Sequence, residues 1–277
     1  MLEARSVVLV GASPRPGSLG QRMITEMARS PSRPESYLVN PRYDEIDGIR
    51  CHRSLAGLPG PVDLVLLGVP DAALAEQLEA AARRGDRSAV IFGSAYDVPG
   101  QPPGLRARLA SIARSAGMAL CGAGCMGFVN VARGLRAVGY VEPDPLPAGP
   151  VALVTHSGSV FSTLLRSRRG IGFSVAVSAG QELVTTAADY ARYALRLPET
   201  KVLALVLEAI RDAGALREVL AAAAAADVPV VLLAAGGSDV GRELVPAHSG
   251  ALAASDGAWE ALAGAYGVHR AGDLAEL

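Results

Sequence analysis

The sequence predicts an α/β protein built of two doubly wound domains in tandem. Short runs of β-branched residues alternate with helix-length amphipathic segments, which is typical of parallel sheets with right-handed crossovers. Residues 142–150 interrupt this alternation, because four prolines in nine positions cannot lie in a helix or a central strand. We therefore predict one domain over residues 1–145 and a second over residues 146–277.

The alternation in the first half begins with a β-branched run that ends at Gly11 and a helical pattern that starts near Ser18. The nearly continuous apolar run at 62–69 is typical of a strand covered on both faces, and an alanine-rich helix follows it. The predicted strands are 6–10, 62–69, 88–92 and 118–121. One predicted helix begins near 18, and two others cover 72–84 and 105–116.

The second half repeats the pattern. Its most apolar stretch, 216–235, contains Glu218, Asp227 and Pro229, so it predicts a helix and a buried strand rather than a membrane span. The predicted strands are 151–154, 173–177, 202–207 and 230–234. One predicted helix covers 213–225, and three others begin at 159, near 185 and at 250.

The composition excludes several classes of protein. Half of the residues are hydrophobic, which allows a substantial core, and a net charge of −1 predicts neither a nucleic-acid nor an anionic-membrane partner. Glu3 and Arg5 interrupt the N-terminus before a secretory apolar run can form. The three cysteines fit neither a disulfide framework nor a zinc site, so we predict a reduced, cytoplasmic protein without a bound metal.

Two loops of the first domain follow predicted strands, where open parallel sheets bind their ligands. The glycines of loop 11–20 would let the backbone approach a phosphate at the start of a helix, although a plain turn is the alternative. This loop lacks the dinucleotide-binding spacing G-x-G-x-x-G. In the next loop, Asn40 and Arg42 suit a phosphorylated ribose, and a turn with an exposed arginine explains them equally well.

Two loops of the second domain have the same position. Ser157 and Gly158 begin a helix, where hydroxyl and free amide groups form an anion site. The glycine that a hydrolase has two residues before its serine is missing, which argues against that class. In the last loop, the imidazole of His248 could accept a phosphoryl group, with Glu208 holding its other ring nitrogen. A structural or merely exposed histidine is the alternative.

Short motifs in these loops occur in a characteristic order along nearly the whole chain. They lie at 10–13, 39–41, 62–64, 69–70, 122–127, 157–158, 172–174, 207–208 and 248–252. The ordered set resembles the nucleoside-diphosphate-forming acyl-CoA synthetases, namely the succinyl-CoA synthetase α subunit and the α part of the ADP-forming acetyl-CoA synthetases. This resemblance implies a Rossmann-like CoA-binding domain followed by a flavodoxin-like (succinyl-CoA synthetase-like) domain.

The resemblance also implies a role for each matching residue. It makes His248 the carrier of phosphate between a nucleotide and the acyl group, and Glu208 the partner of that histidine. The implied phosphate-binding residues are Ser157, Gly158, Ser249 and Gly250. The implied CoA-binding residues are Gly11, Ser13, Gly17, Ser18, Asn40, Arg42, Pro70 and Cys125.

The resemblance further implies a second component, an ATP-grasp β subunit or domain that binds ATP or ADP with Mg. CoA and a small carboxylic acid or its acyl-CoA are the implied cofactor and substrate. The family architecture allows a homo- or hetero-oligomer. The chain would thus be the α-type part of an acid–thiol ligase that is active only with its ATP-grasp partner.

Four motifs depart from the family pattern, and one of them is Gly180-Gln181, where the family usually has Gly-Asn. Residues 122–125 read Gly-Ala-Gly-Cys instead of Gly-Pro-Asn-Cys, and His156 stands where the family usually has glutamine. His156 is then either a second phosphate ligand or a surface histidine. Both basic residues expected at 234–238 are also missing. These changes leave a different acyl substrate, or an impaired CoA- or acyl-CoA-binding regulatory module, as alternatives.

A third alternative is an NAD-dependent oxidoreductase built on the first domain. The missing G-x-G-x-x-G spacing disfavours it. Asn40 also stands where a nicotinamide enzyme usually has an acidic residue that holds the ribose.

Overall fold

The computed structural model describes residues 1–235 and 256–277. The first part of the chain forms one sheet with helices on both faces. Its strands are β1 (Ser6–Val10), β2 (Glu35–Val39), β3 (Glu45–Ile46), β4 (Ile49–His52), β5 (Leu64–Leu67), β6 (Ser88–Ile91) and β7 (Ala119–Gly122). Its helices are α1 (Leu19–Ala28), α2 (Asp71–Arg84) and α3 (Leu105–Ser115).

The rest of the chain forms a second sheet. Its strands are β8 (Gly127–Asn130), β9 (Leu135–Val138), β10 (Ala148–Thr155), β11 (Phe173–Ser178), β12 (Val202–Leu207), β13 (Val230–Ala234) and β14 (His269–Arg270). Its described helices are α4 (Gly158–Leu165), α5 (Ala187–Ala194), α6 (Ala213–Ala225) and α7 (Asp256–Tyr266).

Both sheets confirm the predicted doubly wound class. The first has the order β3-β4-β2-β1-β5-β6-β7 and is parallel except for β3, which runs antiparallel to β4. The second has the order β14-β13-β12-β10-β11-β8-β9, and its β10 to β14 strands are parallel. Every residue of Leu64–Leu67 is buried, as expected of a strand covered on both faces.

The hairpin β8–β9 was not predicted from the sequence. It precedes the turn-rich segment, yet β8 pairs antiparallel with β11 and so belongs to the second sheet. The domain boundary at 145/146 stays a prediction. The hairpin belongs to the second sheet although it lies before this boundary in the sequence.

Local capping explains where several helices begin and end. The Ser18 hydroxyl accepts a hydrogen bond from the Gln21 amide at 3.2 Å and caps α1, and Gly85 ends α2 with a left-handed φ of +83°. Thr186 and Asp189 form a reciprocal capping box at the start of α5. Since α1 and α4 start at the carboxyl edge of a sheet, their N-terminal amides line two of the loops that the sequence analysis selected.

A buried ion pair joins the two parts of the chain. Arg136 on β9 is 2% exposed, and its Nε donates to Glu26 Oε2 on α1 at 2.9 Å; Glu26 is fully buried. The same guanidinium contacts Asp144 Oδ1 at 3.1 Å and donates to the Pro143 carbonyl at 2.8 Å. The pair therefore fixes α1, the hairpin and the proline-rich turn against one another.

A second junction lies at the edge of the first sheet. Residues 181–185 of the second part run beside β7, where the Gln181 amide donates to Ala123 O at 2.9 Å and the Leu183 amide donates to Gly122 O at 3.0 Å. This segment covers the strand edge that β7 would otherwise expose.

Candidate functional site

A cavity of about 770 Å³ lies at the carboxyl ends of β1, β2 and β5. Six of the residues predicted to bind CoA line it, namely Gly11, Ser13, Ser18, Asn40, Arg42 and Pro70. Because the three strands are parallel neighbours, loops that are distant in sequence meet at one edge of the sheet.

Two glycines at this cavity allow neighbouring backbone segments to lie close together. A Cβ at Gly11 would overlap the carbonyl oxygen of Gly68, and a Cβ at Gly20 would overlap the carbonyl oxygen of Gly11. Gly11 also has a φ of +89°, which favours glycine. A larger residue at either position would therefore push the first loop away from the strands.

Asn40 joins two of the loops. Its Nδ2 donates to the Ala12 carbonyl at 2.8 Å, and its Oδ1 accepts from the Arg42 amide at 2.9 Å. The side chain thus holds the first loop against the second and fixes the backbone of Arg42. This placement gives Asn40 a positioning role within the predicted CoA-binding set.

The sequence analysis missed several residues that line the cavity. Arg15 and Arg53 join Arg42 there, opposite Glu76 on α2, and give the cavity an excess of positive charge. Arg53 Nη1 also donates to the Pro41 carbonyl at 3.0 Å. Arg15 lies inside the predicted loop, whereas Arg53 follows β4, a short strand without a local sequence signal.

Two predicted CoA-binding residues do not line the cavity. Gly17 lies in the first loop with a φ of +73° but outside the lining residues. Cys125 is buried, and its Sγ lies 3.9 Å from that of Cys121 and 3.3 Å from Ile91 O. The hydrogen bond with Cys121, and then burial, raise the pKa of the Cys125 thiol well above its usual value. Cys125 is therefore an uncharged packing residue in this structure.

Ser157 and Gly158 begin α4, as predicted. The Ser157 hydroxyl caps the helix by accepting from the Val160 amide at 3.3 Å, and its own amide donates to Thr155 Oγ1 at 3.0 Å. A Cβ at Gly158 would lie 2.8 Å from Cγ of Met126, so the helix start packs closely on the chain that precedes β8.

His156 is buried, so its interpretation as a surface histidine is wrong. Its side chain is 3% exposed, and its Nδ1 accepts a hydrogen bond from the Glu208 amide at 3.1 Å. Its Nε2 lies 3.2 Å from Glu182 Oε1. Glu208 directly follows β12, as predicted, and is itself 8% exposed.

The predicted phosphate carrier His248 lies outside the described residues, as do Ser249 and Gly250. The pairing of His248 with Glu208 therefore stays a prediction. Among residues 1–235 and 256–277, no group of three or more His, Cys, Asp or Glu side chains could hold a metal ion. In the same part of the chain, no helix combines the length and apolar character needed to cross a membrane.

Two family models match the chain. Residues 5–131 match a CoA binding domain, and residues 148–277 match a succinyl-CoA ligase like flavodoxin domain. An acetate–CoA ligase [ADP-forming] of Methanocaldococcus jannaschii is 29% identical over 275 residues, which cover 99% of this chain and 38% of the relative. The α subunit of acetate–CoA ligase [ADP-forming] II of Pyrococcus furiosus is 29% identical over 276 residues, which cover 99% of this chain and 59% of the relative.

A solved structure supports the fold. The dinucleotide forming acetyl-coenzyme A synthetase 1 of Ca. Korarchaeum cryptofilum, in complex with phosphate and ADP, has a TM-score of 0.88 and 24% identity. The match covers 98% of this chain and 58% of that structure. The chain thus spans between 38% and 59% of the length of these relatives.

The fold and the first cavity define a CoA-binding domain followed by a succinyl-CoA ligase-like flavodoxin domain. The homologues of the chain are ADP-forming acyl-CoA synthetases, and the chain is similar to the α part of these proteins.

Proposed function

We propose that the chain binds CoA in its first domain and carries phosphate on His248 during ADP-forming acyl-CoA synthesis. The observation that carries this proposal is the positively charged cavity of the CoA-binding domain. It combines glycines that allow close backbone approach with Arg15, Arg42 and Arg53, which suit the phosphates of CoA. The relatives named as ligases favour this catalytic hypothesis over the regulatory-module alternative.

The chemistry would depend on His248, Glu208 and the start of α4. His248 would accept a phosphoryl group from a nucleotide and pass it to a carboxylate, while Glu208 would hold the other ring nitrogen. The N-terminal amides of α4, which begin after Ser157, would stabilise the charge of the phosphoryl group. The sulfur of CoA would then attack the carbonyl carbon of the acyl phosphate, so that the thioester forms as the bond to phosphate breaks and inorganic phosphate is released.

The nucleotide and its Mg would bind to an ATP-grasp subunit or domain, which the naming of one relative as an α subunit supports. We propose a small carboxylic acid as the acyl substrate. The proposed setting is the cytoplasm, which the three free, buried cysteines support.

Replacing Arg42 with alanine is expected to weaken CoA binding about tenfold, because an exposed cation that contacts a phosphate contributes on the order of 1.5 kcal/mol. Calorimetric titration of the purified chain measures this affinity, with NAD as the control ligand. Arg50→Ala is the matched control, since Arg50 is also exposed, lies eight positions away and does not line the cavity. Saturable NAD binding without CoA binding would overturn the proposal.

A further inference from the structure

His156 joins the loops that follow three neighbouring strands of the second sheet. It follows β10, whereas Glu182 follows β11 and Glu208 follows β12, and these strands are adjacent in the order β12-β10-β11. The backbone amide of His156 also donates to Val206 O at 3.0 Å. One imidazole therefore contacts the backbone of one loop and the carboxylate of another.

The hydrogen bonds assign a tautomer to this imidazole. Since Nδ1 accepts from the Glu208 amide, the ring hydrogen lies on Nε2 and faces the carboxylate of Glu182. The Nε2–Oε1 distance of 3.2 Å is short, although the ring N–H points off the line between the two atoms. Nδ1 of His156 thus serves as the acceptor for the Glu208 amide.

Glu182 is itself fixed in place. It is 6% exposed, has a left-handed φ of +51°, and its carboxylate accepts a hydrogen bond from the Ala187 amide at the start of α5. Arg211, half-buried in the loop after β12, lines the same cavity as Glu182 and supplies the nearby positive charge. The ring of His156 therefore lies in a built polar environment rather than in a packing gap.

These contacts argue against His156 as a second phosphate ligand. Its Nδ1 is occupied by the Glu208 amide, and its Nε2 faces a carboxylate that would repel a phosphate. We propose instead that His156 is a positioning residue that fixes the backbone of Glu208, and thereby the carboxylate that holds His248. This role rests on the proposed function of His248, because it concerns the geometry of the same site.

Glutamine at position 156 is expected to preserve this positioning. A glutamine offers a carbonyl oxygen that accepts from the Glu208 amide and an amide nitrogen that donates to Glu182. It therefore reproduces the acceptor of the His156 ring and places a donor on the side of Glu182. A residue without them would leave the buried amide of Glu208 without an acceptor from position 156, and the loop would lose its register.

The first test measures the geometry without any activity. Hydrogen–deuterium exchange of the Glu208 amide, followed by NMR, is expected to accelerate about tenfold or more in His156→Ala, because a protecting acceptor is lost. His156→Gln is expected to stay within about threefold of the unmodified chain. His269→Ala is the matched control, since His269 forms an exposed contact with Glu276, also at 3.2 Å. Unchanged exchange in His156→Ala would overturn the proposal.

The second test measures the consequence for phosphate transfer. Acetyl [³²P]phosphate serves as the probe, and acid-labile label on His248 is counted over time, with His248→Ala as the blank. We expect His156→Ala to slow labelling about tenfold to a hundredfold, because small displacements of catalytic groups have effects of that size. His156→Gln is expected to label within about threefold of the unmodified chain, and CoA affinity is expected to be equal in all three.

The two proposals fail in different ways. If the unmodified chain gains no label, the phosphohistidine function falls, and the positioning role of His156 within it falls too. If the unmodified chain and His156→Ala label at equal rates, only the positioning role is overturned. Slow labelling of both His156→Ala and His156→Gln would also overturn it, because the loss would then reflect volume rather than hydrogen bonding.

Discussion

Replacing Arg136 with methionine is expected to lower the free energy of unfolding by about 3 kcal/mol, the lower end of the range for breaking one side of a buried ion pair. The substitution leaves the fully buried carboxylate of Glu26 without its main partner. Arg29, whose Nη1 lies 3.0 Å from Glu26 Oε1, still compensates part of the charge. The effect is large because Arg136 also donates to the carbonyl of Pro143 in the turn between β9 and β10.

Urea unfolding, followed by circular dichroism, measures this loss. Arg133→Met is the matched control, because Arg133 lies near the same hairpin and contacts Glu199 Oε1 at 3.0 Å, but its side chain is 36% exposed. An exposed pair of this kind contributes less than about 1 kcal/mol. Equal destabilisation by the two substitutions would contradict the importance given to the buried pair.

Replacing His248 with alanine is expected to reduce ATP-dependent thioester synthesis by about a thousandfold or more, because the substitution removes the group that would carry the phosphate. Among the described histidines, His156 lies beside Glu208, but its Nδ1 accepts from the Glu208 amide and its Nε2 lies 3.2 Å from a carboxylate oxygen of Glu182. No comparable nucleophile is therefore available beside Glu208 in the described part of the chain.

The assay combines the chain with its ATP-grasp partner, ATP, Mg and a carboxylic acid, and it measures both thioester and acid-labile protein phosphate. His269→Ala controls for the loss of an imidazole and should retain full activity, since His269 is exposed on β14. Full thioester synthesis by His248→Ala would eliminate the phosphohistidine scheme while leaving CoA binding by the first domain intact.

Most of the fold follows from local sequence patterns. Apolar runs such as Leu64–Leu67 indicate strands buried on both faces, and their alternation with helices predicts parallel sheets. The hairpin β8–β9 could not be predicted in this way, because β8 pairs with β11 across more than forty residues of chain. Its side chains give no local signal of that partner.

The candidate site likewise has residues that local sequence patterns predict and residues that depend on distant contacts. Loops such as those of Gly11 and Asn40 were predicted because the carboxyl ends of parallel strands meet at one edge. The burial of His156 was not predicted, since it depends on Glu182 and Glu208, which are 26 and 52 positions away. The site residue Arg53 was missed for a similar reason: it reaches the cavity from a short edge strand.

The segment at 181–185 has a consequence for how the protein can be divided. A fragment that ends at residue 145 would leave the amides and carbonyls of β7 uncovered, because the chain that now lies beside them would be absent. An uncovered strand of this kind is a template for pairing with other molecules. The hairpin of such a fragment would also lack β11. The CoA-binding half on its own would therefore be prone to aggregation, and its solubility depends on the half that follows it.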